Sequence, residues 1–321
     1  MENNEPQSNP QPWERKLIEE LALSSLQERR RSRRWGMFFK LLYVLLLIML
    51  IGMMLPNEIP ETASRQQPHT ALVNLNGIIM DESEAGADNI IAGLQDAFEN
   101  SHVKGVIIQI NSPGGSPVQA GYINDEIRRL KKLHPDTPVY AVVRDMCASG
   151  GYYVAVAADE IYVDKASIVG SIGVLMDGFG FVNSMDKLGV ERRLLTAGKH
   201  KGIMDPFSPM TEFDQKYVQK LLDQMHQQFI QVVKEGRGDR LKENDQIFSG
   251  LFWTGEESVK LGLADGLGNS SYVARELIQA EEIVDYTPRE DLLERFARQL
   301  GAESAILLDK IWSGASLPAI R

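Results

Sequence analysis

The chain has 321 residues, 43% hydrophobic and 24% charged, with a formal net charge of −10 and one cysteine, Cys147. That length accommodates one large domain or two ordinary ones with a packed core. The acidic balance excludes nucleic acid as a main partner, because phosphate binding needs a basic face, and a lone cysteine excludes an intramolecular disulfide.

Residues 1–34 are polar and read as a flexible cytoplasmic tail, with a short amphipathic helix over Trp13–Leu26. The tail ends in a dense basic cluster of Arg29, Arg30, Arg31, Arg33 and Arg34. Trp35–Leu55 follows, with Lys40 as its only charge. As a helix it would measure about 31 Å, close to the hydrocarbon thickness of a bilayer. The arginines should stay on the cytoplasmic side, which sends everything after Leu55 across the membrane. Met53-Met54-Leu55-Pro56 is not a small-residue cleavage site, so residues 35–55 are expected to be a retained anchor. Residues 56–70, with Pro56, Pro60 and Pro68, read as a linker.

From residue 71 short apolar runs alternate with amphipathic segments. Ala71–Ile79, Val103–Ile110, Val139–Val143 and Glu160–Val163 are expected strands; Asp88–Glu99, Val118–Leu133 and the stretch after Ser149 are expected helices. This alternation means an α/β domain with mostly parallel strands. A long helix is expected over Phe213–Lys234, and Thr254 with Glu257 three residues on reads as a capping box. The domain is taken as 71–287, with a C-terminal extension over 288–321.

Three segments carry groups suited to chemistry. The first, Ile110-Asn111-Ser112-Pro113-Gly114-Gly115, ends a strand in a glycine turn whose backbone N–H groups could hold an oxyanion; alone it reads as an ordinary strand-to-helix turn. The second, Met146-Cys147-Ala148-Ser149-Gly150-Gly151-Tyr152-Tyr153, puts a serine at the mouth of a helix where strands end, the usual place for α/β sites. An N-cap serine would look the same. Cys147 is a rival nucleophile, though a lone cysteine among apolar neighbours usually packs as a small hydrophobe. A serine nucleophile needs a base. None of the five histidines lies between His134 and His200, and His69 and His102 fall in a linker or a loop. The third segment, Thr196 to Phe207, offers Lys199, His200 and Lys201. If it is extended, the two lysines share one face and His200 takes the other. Periodicity does not choose between the lysines, and a solvated basic loop would read alike.

Taken in order, these segments resemble the S49 peptidases, the signal peptide peptidase A family, over roughly Ala71 to Gly268. The first two also resemble the Clp protease subunit, which shares the crotonase-type superfold. The resemblance implies a Clp/crotonase-type α/β domain of repeated strand–helix units, here preceded by one N-terminal transmembrane helix. It implies Ser149 as nucleophile. The family's Gly-x-Tyr-Lys, followed by Pro-Phe, falls on Gly198, Lys201, Pro206 and Phe207, with His200 in place of the aromatic. Lys201 is therefore the implied base, oriented by Ser171 in Val169-Gly170-Ser171-Ile172-Gly173. A Clp-type subunit carries a histidine a little beyond Ser171, and this chain has none there. Gly114 or Gly115, with Gly150, would supply the oxyanion N–H groups. Phe252-Trp253-Thr254-Gly255 and Leu261-Gly262-Leu263-Ala264-Asp265 resemble the family's C-terminal signature, with Leu251 where an arginine is more typical.

An amine base must be held neutral, which enclosure by apolar groups achieves; Ile203, Met204 and Phe207 are at hand. The resemblance implies remnant signal peptides and other apolar peptides as substrates. It also implies a homo-oligomer, a ring of about eight subunits with shared active sites, on the outer side of the bacterial inner membrane. No cofactor or metal is expected. Acyl-CoA chemistry on the same superfold and a non-catalytic membrane scaffold are the rival functions.

Overall fold

The computed structural model describes residues 35–49, 65–242 and 244–288. It divides into two units, Met1–Pro60 and Glu61–Arg321. In the first, residues 35–49 form helix α1 with every side chain exposed. Among the described residues no helix is long and apolar enough to cross a membrane. The expected span continues over residues 50–55, which lie outside the described residues. So do the tail with its Trp13–Leu26 segment, linker residues 56–64 and the C-terminal residues from 289 onward.

The second unit is built on one sheet. Among the described residues its strands are β1 (His69–Asn76), β2 (Val103–Ser112), β3 (Val139–Ala148), β4 (Glu160–Val163), β5 (Ile168–Gly170), β6 (Phe252–Thr254), β7 (Gly266–Leu267) and β8 (Ile283–Asp285). The main order is β6-β5-β3-β2-β1-β8, and β4 pairs with β3 and β7. Among the described residues only the β5–β6 pair is antiparallel. The connections after β1, β2 and β3 carry helices α2 (Ala87–Glu99), α3 (Pro117–Leu133) and α4 (Gly150–Ala155). The strand–helix alternation expected from the sequence is thus the observed one.

Parallel strands covered on both faces read as unbroken apolar runs, and β2 is such a strand. Val106, Ile108 and Ile110 enter the main core with Ile90, Leu94, Ile123 and Ile127 of α2 and α3. Ile107, on the opposite face, packs with Val142, Val273, Ala274 and Ile278. Each such aliphatic side chain stabilises the fold by about 1.5–3 kcal/mol.

Helix ends follow local chemistry. Pro117 opens α3 behind Ser116, whose side chain accepts from Gln119 N–H. The long helix α6 spans Glu212–Arg237, close to the expected Phe213–Lys234, and begins with a full capping box between Thr211 and Asp214. At Thr254 only half of the expected box forms. Its side chain accepts from Glu257 N–H at the start of α7 (Gly255–Lys260), while the Glu257 carboxylate faces Lys260 at 3.6 Å.

Strand β1 starts two residues earlier than expected and takes in His69 and Thr70 from the assigned linker. His69 is fully buried, with Nε2 2.9 Å from the Tyr286 hydroxyl and Nδ1 2.6 Å from Gln67 O. The hydroxyl that satisfies it is 217 residues away in sequence.

Candidate active site

Strand β3 decides where the three segments meet. Tyr140–Val142 pair with β4, whereas Met146–Ala148 pair with β5. The register against β2 shifts in between, from Ile110↔Val143 to Ser112↔Cys147, so β3 bulges at Arg144–Met146. The expected strand stopped at Val143 because this bulge breaks the apolar run.

Ser149 follows directly at φ 52°, ψ −121°, a conformation costing a non-glycine residue about 1–3 kcal/mol. Its N–H donates to Gly170 O at 2.9 Å, and its carbonyl accepts from Tyr153 N–H at 3.0 Å. Its side chain makes no cap hydrogen bond, so the simple N-cap reading fails. A serine on such a sharp strand-to-helix turn presents its Oγ outward, above the sheet.

The glycine turn after β2 packs against it. A methyl group on Gly114 would stand 2.6 Å from Gly150 N and 2.8 Å from Ser149 Cβ, so only a bare Cα fits. Gly114 N–H is already engaged by Ser112 Oγ at 3.1 Å. Gly115 N instead lies 3.3 Å from where a Cβ on Gly150 would be. The turn is fixed from outside by Ile79, whose N–H donates to Gly114 O and whose carbonyl accepts from Ser116 N–H.

Ser171 sits beside Ser149, because its neighbour Gly170 pairs with Ala148. It too has a left-handed backbone, φ 54°, and donates its N–H to Leu251 O at 2.7 Å. Leu251 thus serves Ser171 through its carbonyl. The Phe252-Trp253-Thr254 signature forms β6, and the Trp253 ring covers Gly170 so closely that an added methyl would stand 2.8 Å from it.

Lys201 lies elsewhere. From residue 173 to residue 228 no residue is buried, so this stretch is an arm outside the core. It holds helix α5 (Val182–Leu188) and the front of α6. The Lys201 segment is not extended but a run of turns: Lys201 N–H donates to Gly198 O, Ile203 N–H to His200 O and Asp205 N–H to Gly202 O. The alternation expected for Lys199, His200 and Lys201 therefore does not apply. His200 stacks on Phe213 with ring centroids 4.2 Å apart. Lys199 and Lys201 are both exposed, and among the described residues no hydrogen bond or ion pair joins Lys201 to Ser149 or Ser171. Ile203 and Met204 are half-buried and Phe207 is exposed, so the described residues of one chain do not enclose the amine.

Cys147 is fully buried, and burial pushes its thiol far up from the ordinary range, which suits packing and not nucleophilic attack. Among the described residues no group of His, Cys, Asp or Glu is arranged to hold a metal.

One charged pair escaped sequence reasoning. Arg237 at the end of α6 is fully buried and grips Asp265 with two hydrogen bonds, 2.7 and 2.9 Å. Asp265 also accepts from Ile161 N–H, and Arg237 Nε donates to Gly262 O. The α4 residue Tyr152 donates its hydroxyl to Leu263 O in the same loop, tying the helix behind Ser149 to this network. The signature pointed to Asp265, but nothing marked Arg237 as its partner.

Comparison with known proteins adds the lineage. Residues 131–284 match the family model described as peptidase family S49. Over 271 residues the chain is 30% identical to a putative signal peptide peptidase SppA of Enterococcus faecium, covering 80% of this chain and 77% of that protein. It is 36% identical over 198 residues to a putative protease of Methanocaldococcus jannaschii, covering 60% of this chain and 63% of that one. An Na(+)/H(+) antiporter NhaA of Brucella melitensis is 40% identical over 257 residues, 78% of this chain, yet the match spans only 35% of the antiporter's length.

Proposed function

Because the chain belongs to peptidase family S49, we propose that it hydrolyses peptide bonds through an acyl-enzyme on Ser149, with Lys201 as general base. The observation that carries this reading is the strained Ser149 turn, with Gly115 and Gly150 packed against it. Ser149 Oγ attacks the scissile carbonyl carbon while Lys201 Nζ takes the hydroxyl proton. The C–N bond then breaks, and the leaving amine receives that proton. Water attacks the ester, gives a proton to Lys201 and releases the acid, restoring Ser149. Gly115 N–H, with Gly150 N–H, faces the developing oxyanion; Gly114 N–H does not, being held by Ser112. Ser171 orients the lysine from the neighbouring strand end.

The exposed arm gives the oligomer a physical basis. Lys201 finds no enclosure among the described residues of its own chain, and the arm exposes Leu175, Phe179, Leu188 and Leu195 to solvent. A head-to-tail ring of about eight copies would bring Lys201 of one protomer to Ser149 of the next and cover this surface. Substrates are remnant signal peptides and other apolar segments; the name of the enterococcal relative speaks of signal peptides alone.

An active-site fluorophosphonate tests the reading. It is expected to label Ser149 of the intact protein and to leave Ser149→Ala unlabelled. Absence of labelling in an assembled protein would favour the scaffold or acyl-CoA alternatives.

A single retained helix over residues 35–55 would keep the tail inside and the peptidase domain outside the cytoplasmic membrane. A reporter fused after Gln67 is expected to be exported, and one fused before Arg29 to stay in the cytosol. Neutralising the five arginines should weaken the orientation. Export of the N-terminal fusion from the unaltered chain would reverse the assignment.

A further inference from the structure

The bulge in β3 has its own fastening, and it lies between the two halves of the site. Opposite Arg144–Met146 strand β2 offers a single residue, Asn111. Asn111 Oδ1 accepts from Met146 N–H at 3.2 Å, and Asn111 Nδ2 donates to Asp145 Oδ2 at 2.9 Å. The backbone of Asn111 contributes as well, its carbonyl accepting from Gly77 N–H at 2.9 Å. On the far side Ser167 Oγ donates to Arg144 O. Bulges next to active sites re-aim the strand that follows them, and here that strand ends in Ser149. Asn111 itself stands three residues before Gly114.

We infer that Asn111, fixed by Asp145, is a positioning residue that sets the oxyanion glycine turn against the nucleophile turn. The inference rests on the peptidase reading above. Its physical content is one side chain bridging the end of β2, which leads into Gly114-Gly115, and the bulge of β3, which leads into Ser149. Releasing it lets the two turns drift apart while leaving the peptide-binding surface in place. A displacement of about 1 Å in such a constellation costs about a hundredfold in rate.

The hydrogen-bond polarity supplies a test that a merely structural role would not pass. Asn111→Asp keeps the acceptor for Met146 N–H but puts two carboxylates face to face. Combining it with Asp145→Asn moves the amide donor to position 145 and restores both bonds. With a fluorogenic apolar peptide, Asn111→Asp is expected to lower kcat by about 10- to 100-fold with KM within about twofold. Affinity for a peptide aldehyde, which forms an oxyanion on the serine, should fall in step with kcat. The double variant is expected to return to within about threefold of the unaltered protein. Asp145 is exposed, so Asp145→Ala offers a variant that folds in any case, and it should show a smaller loss of the same kind. The inference is overturned by unchanged kcat in Asn111→Asp and Asp145→Ala, by no recovery in the double variant, or by a change confined to KM. Ser149→Ala in the same assay separates the two ideas. If it retains activity, the serine reading itself has failed; if it is dead while Asn111→Asp is fully active, only the clamp is wrong.

Discussion

Lys201→Arg is expected to abolish hydrolysis, whereas Lys199→Arg and His200→Phe should keep substantial activity. Guanidinium does not give up its proton in a protein, so the arginine variant keeps the charge and the reach but removes the base. Lys199 has no implied role, and a phenyl ring at position 200 preserves the stack on Phe213. A dead His200→Phe beside a working Lys201→Arg would transfer the base to histidine. The exposed position of Lys201 makes a second result as large. Ser149→Ala and Lys201→Ala subunits, each inactive alone, should regain partial activity when assembled together, because some interfaces then pair an intact serine with an intact lysine. Mixed oligomers that stay dead would place the dyad within one chain.

The largest stability effect is expected at Asp265. Burial pushes its carboxyl upward, but the hydrogen bonds and charge of Arg237, the Ile161 N–H and Arg240 outweigh it and hold the group below its usual range. Asp265→Ala leaves the Arg237 guanidinium buried without its counter-ion, which costs about 3–5 kcal/mol. For a domain of this size that lowers Tm by roughly 10 °C or somewhat more. The sign with pH follows from the depressed value. The contribution is fully present above the unfolded carboxylate range, near pH 4, and is lost as pH falls through the lower folded value. Unfolding followed by circular dichroism should therefore show Asp265→Asn losing most of its deficit relative to the unaltered protein in acid. A deficit that does not shrink as pH falls below the unfolded carboxylate range would assign the effect to packing alone.

The sequence carried those parts of the fold that are periodic. β4 is found over the expected Glu160–Val163, and β2 and α3 extend the expected runs by two residues and one. All three are legible because burial on a sheet or helix face repeats at a fixed spacing. The bulge in β3 and the early start of β1 were not legible, since Asn111, Tyr286 and Ser167 satisfy them from other parts of the chain. Among the implied site residues, Ser149, Ser171 and the glycines converge because strand ends in a parallel sheet gather at one edge. The arm is different. Its turns are set by Gly198, at φ 106°, and Met204, at φ 62°, and its apolar side chains have no period to announce them.

The pairing of β1 with β8 has a kinetic consequence. Thr70 N–H bonds Glu282 O, and Tyr286 N–H bonds Leu72 O, so the first and last strands among the described residues border on one another. Contacts of such long sequence separation demand loop closure before they return any stability, and they slow folding. A chain emerging from its N-terminus can pair β1 with β2 early, but the other edge of β1 stays bare until residue 285 is available. During that interval Ala71 and Val73, fully buried once the sheet is complete, belong to an unfinished edge strand, the kind of surface on which newly made chains aggregate. The nascent domain is therefore most vulnerable in the time between the synthesis of β2 and that of β8.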